Sequence, residues 1–183
     1  MYEKRAYEVC QLEPLSPILP EIYSGDLDDE IRSRLYKVIE VESPIEESLL
    51  VKRVLNSLSY TKCGHCLEEC FRDLLDSLTA IKTKEGERTI YWKDDKGIDY
   101  YRVAPSEVRF SYQIPPSEAI NAALATIKGR SRFFSKNQLF EVIIKNLGFT
   151  KSGSQLWQLY FDTVELGLKR GDFKITKNYR YYS

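Results

Sequence analysis

Apolar residues recur three and four positions apart over several stretches of the chain. This is the period of a helix with one buried face. Leu27, Ile31, Leu35 and Val38 predict a first helix over about 27–38, with Asp28, Asp29 and Glu30 at its positive N-terminal end. Ser43-Pro44-Ile45 interrupts the pattern. Leu50, Val51, Val54, Leu55 and Leu58 then predict a second helix over about 46–58. After a short turn at 59–62, Leu67, Cys70, Phe71, Leu74, Leu75 and Leu78 predict a third over about 63–78. Next, Ile81-Lys82-Thr83 and Thr89-Ile90-Tyr91-Trp92 flank Lys84-Glu85-Gly86-Glu87, the pattern of a hairpin.

The same order then returns. Pro115-Pro116-Ser117-Glu118 opens a helix that Gly129 stops. Phe133-Phe134 matches the short break, and helices follow over about 136–147 and 152–170, the last closed by Gly171. Asp172-Phe173-Lys174-Ile175 and Tyr179-Arg180-Tyr181-Tyr182 form a closing hairpin over Thr176-Lys177-Asn178. Residues 31–76 align with 120–165 at a constant offset of 89, without a gap and with 9 identities in 46 positions. Average composition would give roughly three. Conserved apolar character at Val38/Ile127, Ile45/Phe134, Val54/Ile143, Phe71/Tyr160 and Leu75/Val164 says that the core positions are the ones that agree.

Helix, short extended piece, helix, tight turn, helix, hairpin is the order of a winged helix-turn-helix. The predicted fold class is therefore mainly α with small β-hairpins (α+β), as tandem duplicated winged helix-turn-helix modules. Residues 1–26 read as an extended proline-rich arm, 27–92 as the first module and 116–183 as the second. Residues 93–115 read as a linker with a possible strand at 98–103, one that could extend a wing.

Composition narrows the class of protein. Apolar residues at 43% can build a core, and 30% charged residues fit a soluble chain. No apolar run approaches the roughly 20 residues of a membrane span, so no membrane partner is expected. The first residues have no apolar signal-peptide region. With four cysteines and no export signal, a reducing cytoplasm and free thiols are expected.

Charge changes the picture most. The chain is neutral, with 27 basic and 27 acidic residues, yet residues 1–120 carry −7 and residues 121–183 carry +7. A polyanion partner for the basic half accounts for this, and so does attraction between the halves or cover by a partner chain.

Val38-Ile39-Glu40-Val41-Glu42-Ser43-Pro44-Ile45, Leu50-Val51-Lys52-Arg53-Val54, Ile114-Pro115-Pro116-Ser117-Glu118-Ala119-Ile120 and Gly148-Phe149-Thr150-Lys151-Ser152-Gly153 stand in this order. In that order the chain resembles a bacterial and archaeal domain of unknown function found at the C-terminus of large superfamily-1 helicase-like proteins, often beside a Vsr-like endonuclease segment. The resemblance covers most of the chain from about residue 7. Where the family carries arginines after the Thr-Lys/Arg-x-Gly turn, this chain has His65 and Cys66 in one copy and Ser154 and Gln155 in the other. The resemblance implies a helper module of a nucleic-acid-processing protein, with helicase or nuclease domains as partners in the same chain or another. It implies no catalytic residue.

Cys63-Gly64-His65-Cys66 with Cys70 looks like a fragment of a zinc site. A structural zinc needs four ligands, usually from two separated pairs. The second copy has Ser152, Ser154, Gln155 and Leu159 at the aligned positions, so the module does not require ligands there. No metal and no cofactor is expected. General-base work by His65 needs an orienting group and a substrate pocket, and the neighbouring Glu68 and Glu69 suit the helix dipole instead. With no Walker loop, G-x-S-x-G or H-E-x-x-H, no enzyme is expected.

A nucleic-acid interface is expected on the second copy. The start of its third helix presents Lys151, Ser152, Ser154, Gln155 and Gln158, without a carboxylate. Lys174, Lys177 and Arg180 on the wing, with Arg130 and Arg132 before it, suit phosphates. The first copy presents Glu68, Glu69, Asp73 and Asp76 there, which suits a protein-facing or purely structural module. Trp157 aligns with Glu68 and should lie off the core stripe, either stacking on a base, anchoring a partner or packing on the linker. The function expected is a non-catalytic accessory module binding DNA or another nucleic acid through the basic C-terminal winged helix. The alternative is a protein-docking module without nucleic-acid contact.

Overall fold

The computed structural model describes residues 2–105, 107–129 and 133–183. The elements run β1 (Glu3–Ala6), α1 (Leu19–Tyr23), α2 (Asp28–Glu42), β2 (Ile45–Glu46), α3 (Glu47–Ser57), α4 (His65–Ser77), β3 (Ile81–Glu85) and β4 (Arg88–Trp92). They continue with β5 (Tyr100–Val103), a 3₁₀ turn (Ser111–Gln113), α5 (Pro116–Ile127), α6 (Lys136–Asn146), α7 (Ser154–Arg170), β6 (Lys174–Ile175) and β7 (Tyr181–Tyr182). The fold is mixed α+β. No helix among the described residues is long and apolar enough to cross a membrane.

The chain divides into two compact units that interleave along the sequence. One comprises Met1–Tyr7, Lys84–Arg88 and Lys96–Ser183, the other Glu8–Thr83 and Thr89–Asp95. The first holds 18 Lys/Arg against 10 Asp/Glu, the second 9 against 17, so they carry +8 and −8. They are called the basic and the acidic unit below.

In the acidic unit, α2, α3 and α4 bury the stripes that their spacing implies. Ile31, Leu35, Val38, Leu50, Val54, Leu67 and Phe71 are all buried. Each such aliphatic side chain contributes about 1.5–3 kcal/mol over its exposed state. The carboxylate of Glu46 accepts the N–H groups of Ser48 and Leu49 at 2.9 and 3.2 Å, which caps α3. β2 pairs antiparallel with β4 at Ile45↔Tyr91, and the sheet order is β2-β4-β3. The buried Glu42 carboxylate holds the Nε of Arg53 at 3.0 Å and the N–H of Cys10 at 3.0 Å. Arg34 donates to the Glu13 carbonyl at 2.7 Å, and the Tyr60 hydroxyl to the Pro17 carbonyl at 2.9 Å, so the proline-rich stretch is tied to the helices.

Residues 1–26 are not extended throughout, since α1 interrupts them after the extended β1. The strand expected at 98–103 is β5, but it extends no wing. It pairs parallel with β1, from Glu3↔Tyr100 to Ala6↔Val103. A four-residue strand has no local signal for a partner almost a hundred positions away, and its backbone groups take the edge that is present.

In the basic unit, α5, α6 and α7 pack around Ile120, Leu124, Ile127, Leu139, Ile143, Leu156, Leu159 and Tyr160. Phe134 bridges to Tyr181, and β6 pairs antiparallel with β7. Gly171 closes α7 at φ 81°, the left-handed conformation that glycine adopts without strain. The N-terminus of α5 buries Glu118 completely. Arg102 Nη2 and Arg109 Nη1 each reach its Oε2 at 2.7 Å, and the Tyr7 ring lies 4.7 and 4.4 Å from the two guanidinium carbons. Burial alone would raise this carboxyl, but the two arginines outweigh it and hold it down at about 2. Next to it, the Glu85 carboxylate accepts the N–H of Ser117 at 2.8 Å, and Arg88 pairs with Asp162.

Candidate nucleic-acid interface

The loop before α7 holds the first group of expected contact residues. Lys151, Ser152, Ser154 and Gln155 are all exposed. Gly153 is the N-cap and offers no side-chain acceptor, and the first turn of α7 has no acidic residue. The Gly153 carbonyl accepts the N–H groups of Leu156 and Trp157, both at 3.1 Å. A helix start with unsatisfied donors and no nearby carboxylate is electropositive and favours anions. Gln158 is exposed but committed, since its Nε2 donates to Asp162 Oδ1 at 2.9 Å. That distinguishes it from the other four, because a one-turn spacing puts its amide over the carboxylate.

The second group stands on the β6–β7 hairpin. Thr176 N–H donates to the Arg180 carbonyl at 2.8 Å, and the Thr176 hydroxyl accepts the Arg180 N–H at 3.1 Å. This closes a turn in which Lys174, Lys177 and Arg180 are exposed, with Lys174 Nζ 5.9 Å from the Tyr182 ring. Arg130 and Arg132 lie outside the described residues.

Two exposed aromatic residues outside the expected set lie on or beside this hairpin. Tyr179 is 77% exposed and sits at φ 52°, in the left-handed region that non-glycine residues seldom take. Phe133 is 57% exposed and meets the Tyr182 ring edge-on at 5.4 Å. The run Lys177-Asn178-Tyr179-Arg180 interleaves base and aromatic ring in the sequence itself. That interleaving is the signal in the sequence that marks Tyr179.

Trp157 corrects an expectation. It is half-buried rather than exposed, and it packs against the core of the basic unit. Its ring lies flat on Phe140 of α6, with centroids 3.8 Å apart and planes at 2°, while Tyr160 meets it edge-on at 5.5 Å. Lys136 Nζ stands 5.3 Å from the indole centroid. Aromatic stacking and the buried area hold the ring in the space between α6 and α7, which an exposed position would forfeit.

The cysteine-rich segment is separate from all of this. All four cysteines are free. Burial pushes the thiols of Cys10, Cys63 and Cys70 up, away from the thiolate that a metal or a nucleophilic step would use. His65 Nδ1 lies 3.6 Å from the exposed Glu69 carboxylate, the ordinary i,i+4 neighbour. Among the described residues no group of three or more His, Cys, Asp and Glu could hold a metal ion. Comparison with protein-family models, curated proteins and solved structures gave no match.

Proposed function

We propose that this chain is a tandem pair of winged-helix modules whose basic unit binds nucleic acid without catalysing a reaction. The duplication draws support from element bounds at the offset of 89: α3 and α6 start at Glu47 and Lys136, and α4 and α7 at His65 and Ser154. In each unit a residue before the second helix pairs with the last strand of the hairpin, Ile45 with Tyr91 and Phe134 with Tyr181. The binding reading rests on one observation above all. In the unit carrying +8, the acid-free start of α7 and the hairpin bearing Lys174, Lys177 and Arg180 around Tyr179 are both exposed. Lysine and arginine contact phosphates, the helix start adds donors, and Tyr179 stacks on a base. The resemblance to the helicase-associated domain adds a context, a helper role beside helicase or nuclease domains.

Phosphate contacts release counterions, so affinity should fall steeply with salt. The test is a salt-titrated binding assay of the full chain with single-stranded and duplex DNA. Replacing Lys151, Lys174 and Lys177 with glutamate should lower the salt slope by nearly one per lost contact. Replacing the exposed Lys37, Lys62 and Lys93 of the acidic unit with glutamate should leave binding intact. Tyr179→Ala should cost about 1–3 kcal/mol with single-stranded DNA and little with duplex. Absence of salt-sensitive binding by the unmodified chain overturns the reading, and loss only in the acidic-unit variant reverses the assignment.

A further inference from the structure

Between α3 and α4 of the acidic unit lies a groove of about 500 Å³. That is the size of a ligand cleft, roughly 300–1,000 Å³. Its floor is apolar, with Leu55, Phe71 and Leu75 buried and Val51 half-buried. Glu47, Glu68 and Asp76 line it together with Lys52 and Arg72. The basic unit has α6 and α7 at the same offset, and there the matching residues fill the space themselves. Trp157, at the position of Glu68, lies on Phe140, at the position of Val51. Lys136, at the position of Glu47, stands 5.3 Å from the indole and 4.6 Å from the Phe161 ring.

We propose that the α3–α4 groove docks a peptide segment presenting an aromatic side chain beside Lys or Arg. Trp157 and Lys136 display within this chain what the groove lacks at the two matching positions, a flat ring in place of Glu68 and a cation in place of Glu47. In the acidic unit a carboxylate occupies the position of that cation, so the cation arrives with the occupant. Glu47 is half-buried, and its Oε2 accepts a hydrogen bond from the Tyr91 hydroxyl at 2.9 Å, which fixes it in place. A unit carrying −8 attracts basic segments and repels acidic ones. The occupant's ring covers Val51, Leu55 and Phe71 as Trp157 covers Phe140, and aromatic burial supplies the affinity. The inference uses the correspondence of the helices and stands apart from the nucleic-acid reading.

The probes are acetyl-Lys-Trp-Lys-amide and acetyl-Glu-Trp-Glu-amide, titrated into the full chain with backbone amide NMR as readout. The lysine peptide should shift α3 and α4 residues saturably, and the glutamate peptide should bind about tenfold or more weakly. Glu68→Trp supplies its own indole and should weaken the lysine peptide by about tenfold. Glu47→Lys should erase the preference between the peptides. Equal binding of the two peptides, shifts confined to other elements, no saturation, or full binding by Glu68→Trp would overturn the proposal. If the variants fail to fold, the two-peptide comparison on the unmodified chain decides by itself.

Discussion

Glu118 is a completely buried charge held between two guanidinium groups of the basic unit. Its folded carboxyl is held at about 2, below its ordinary 4.5, because Arg102 and Arg109 outweigh the cost of its burial. The consequence for stability has a definite sign. The contribution is fully present above about pH 4.5 and is lost as pH falls towards about 2, and it amounts to about 3 kcal/mol. Carboxyl-carbon NMR should show Glu118 ionised through the range where exposed glutamates take up protons. Titration near 4.5 would refute the cluster. Glu118→Gln leaves two guanidinium groups without their anion and should cost about 3–5 kcal/mol of unfolding free energy. In the sequence this residue is visible only as an acid at a helix start, a role the helix dipole already explains. Its arginines lie outside the element, so the partners that matter could not be read from spacing.

Elements were the legible scale. A helix writes a 3.6-residue period into consecutive positions, and the buried faces of α2, α3, α4, α6 and α7 were all carried by that period. Strand partners are not written locally, so residues 98–103 mark a strand while nothing in them marks its pairing with β1. Likewise the alignment with Glu68 puts Trp157 off the core stripe of its own helix, but the space it enters is defined by a neighbouring helix. The start of α6 yields a prediction at this scale. The Ser135 hydroxyl accepts the N–H of Gln138 at 3.3 Å while the Gln138 side chain accepts the N–H of Ser135 at 2.9 Å. This reciprocal box satisfies two donors that the first turn would otherwise leave open. Ser135→Ala should lower unfolding free energy in urea by about 1 kcal/mol. Ser135→Asp should retain most of it, because a carboxylate caps equally well and suits the dipole. An unchanged urea midpoint for the alanine variant would show that the box does not contribute.

At the scale of the molecule, interleaving is the property with consequences. The basic unit is assembled from three separate stretches, and two of them supply groups that its long C-terminal stretch cannot replace. Met1–Tyr7 brings β1 to β5 and Tyr7 to the arginines around Glu118. Lys84–Arg88 brings Glu85 to the start of α5 and Arg88 to Asp162, whose side chain is only 9% exposed. A fragment comprising 96–183 therefore keeps its helices' apolar faces but loses a strand partner, a helix cap and the cation for a buried carboxylate. Removing one partner of a buried ion pair costs about 3–5 kcal/mol, a large share of the roughly 5–15 kcal/mol that stabilises a domain. Thermal unfolding followed by circular dichroism should give the fragment a markedly lower Tm than the full chain, or no cooperative transition. Arg88→Met in the full chain gives the part of that loss carried by Arg88, its ion pair with Asp162 together with its Nε bond to the Tyr112 carbonyl at 2.8 Å. Asp162→Asn in the fragment should recover part of it, because the amide keeps the acceptor for Gln158 and removes the unpaired charge. A fragment that melts at the temperature of the full chain would mean that the short stretches are ornaments on a self-sufficient C-terminal unit.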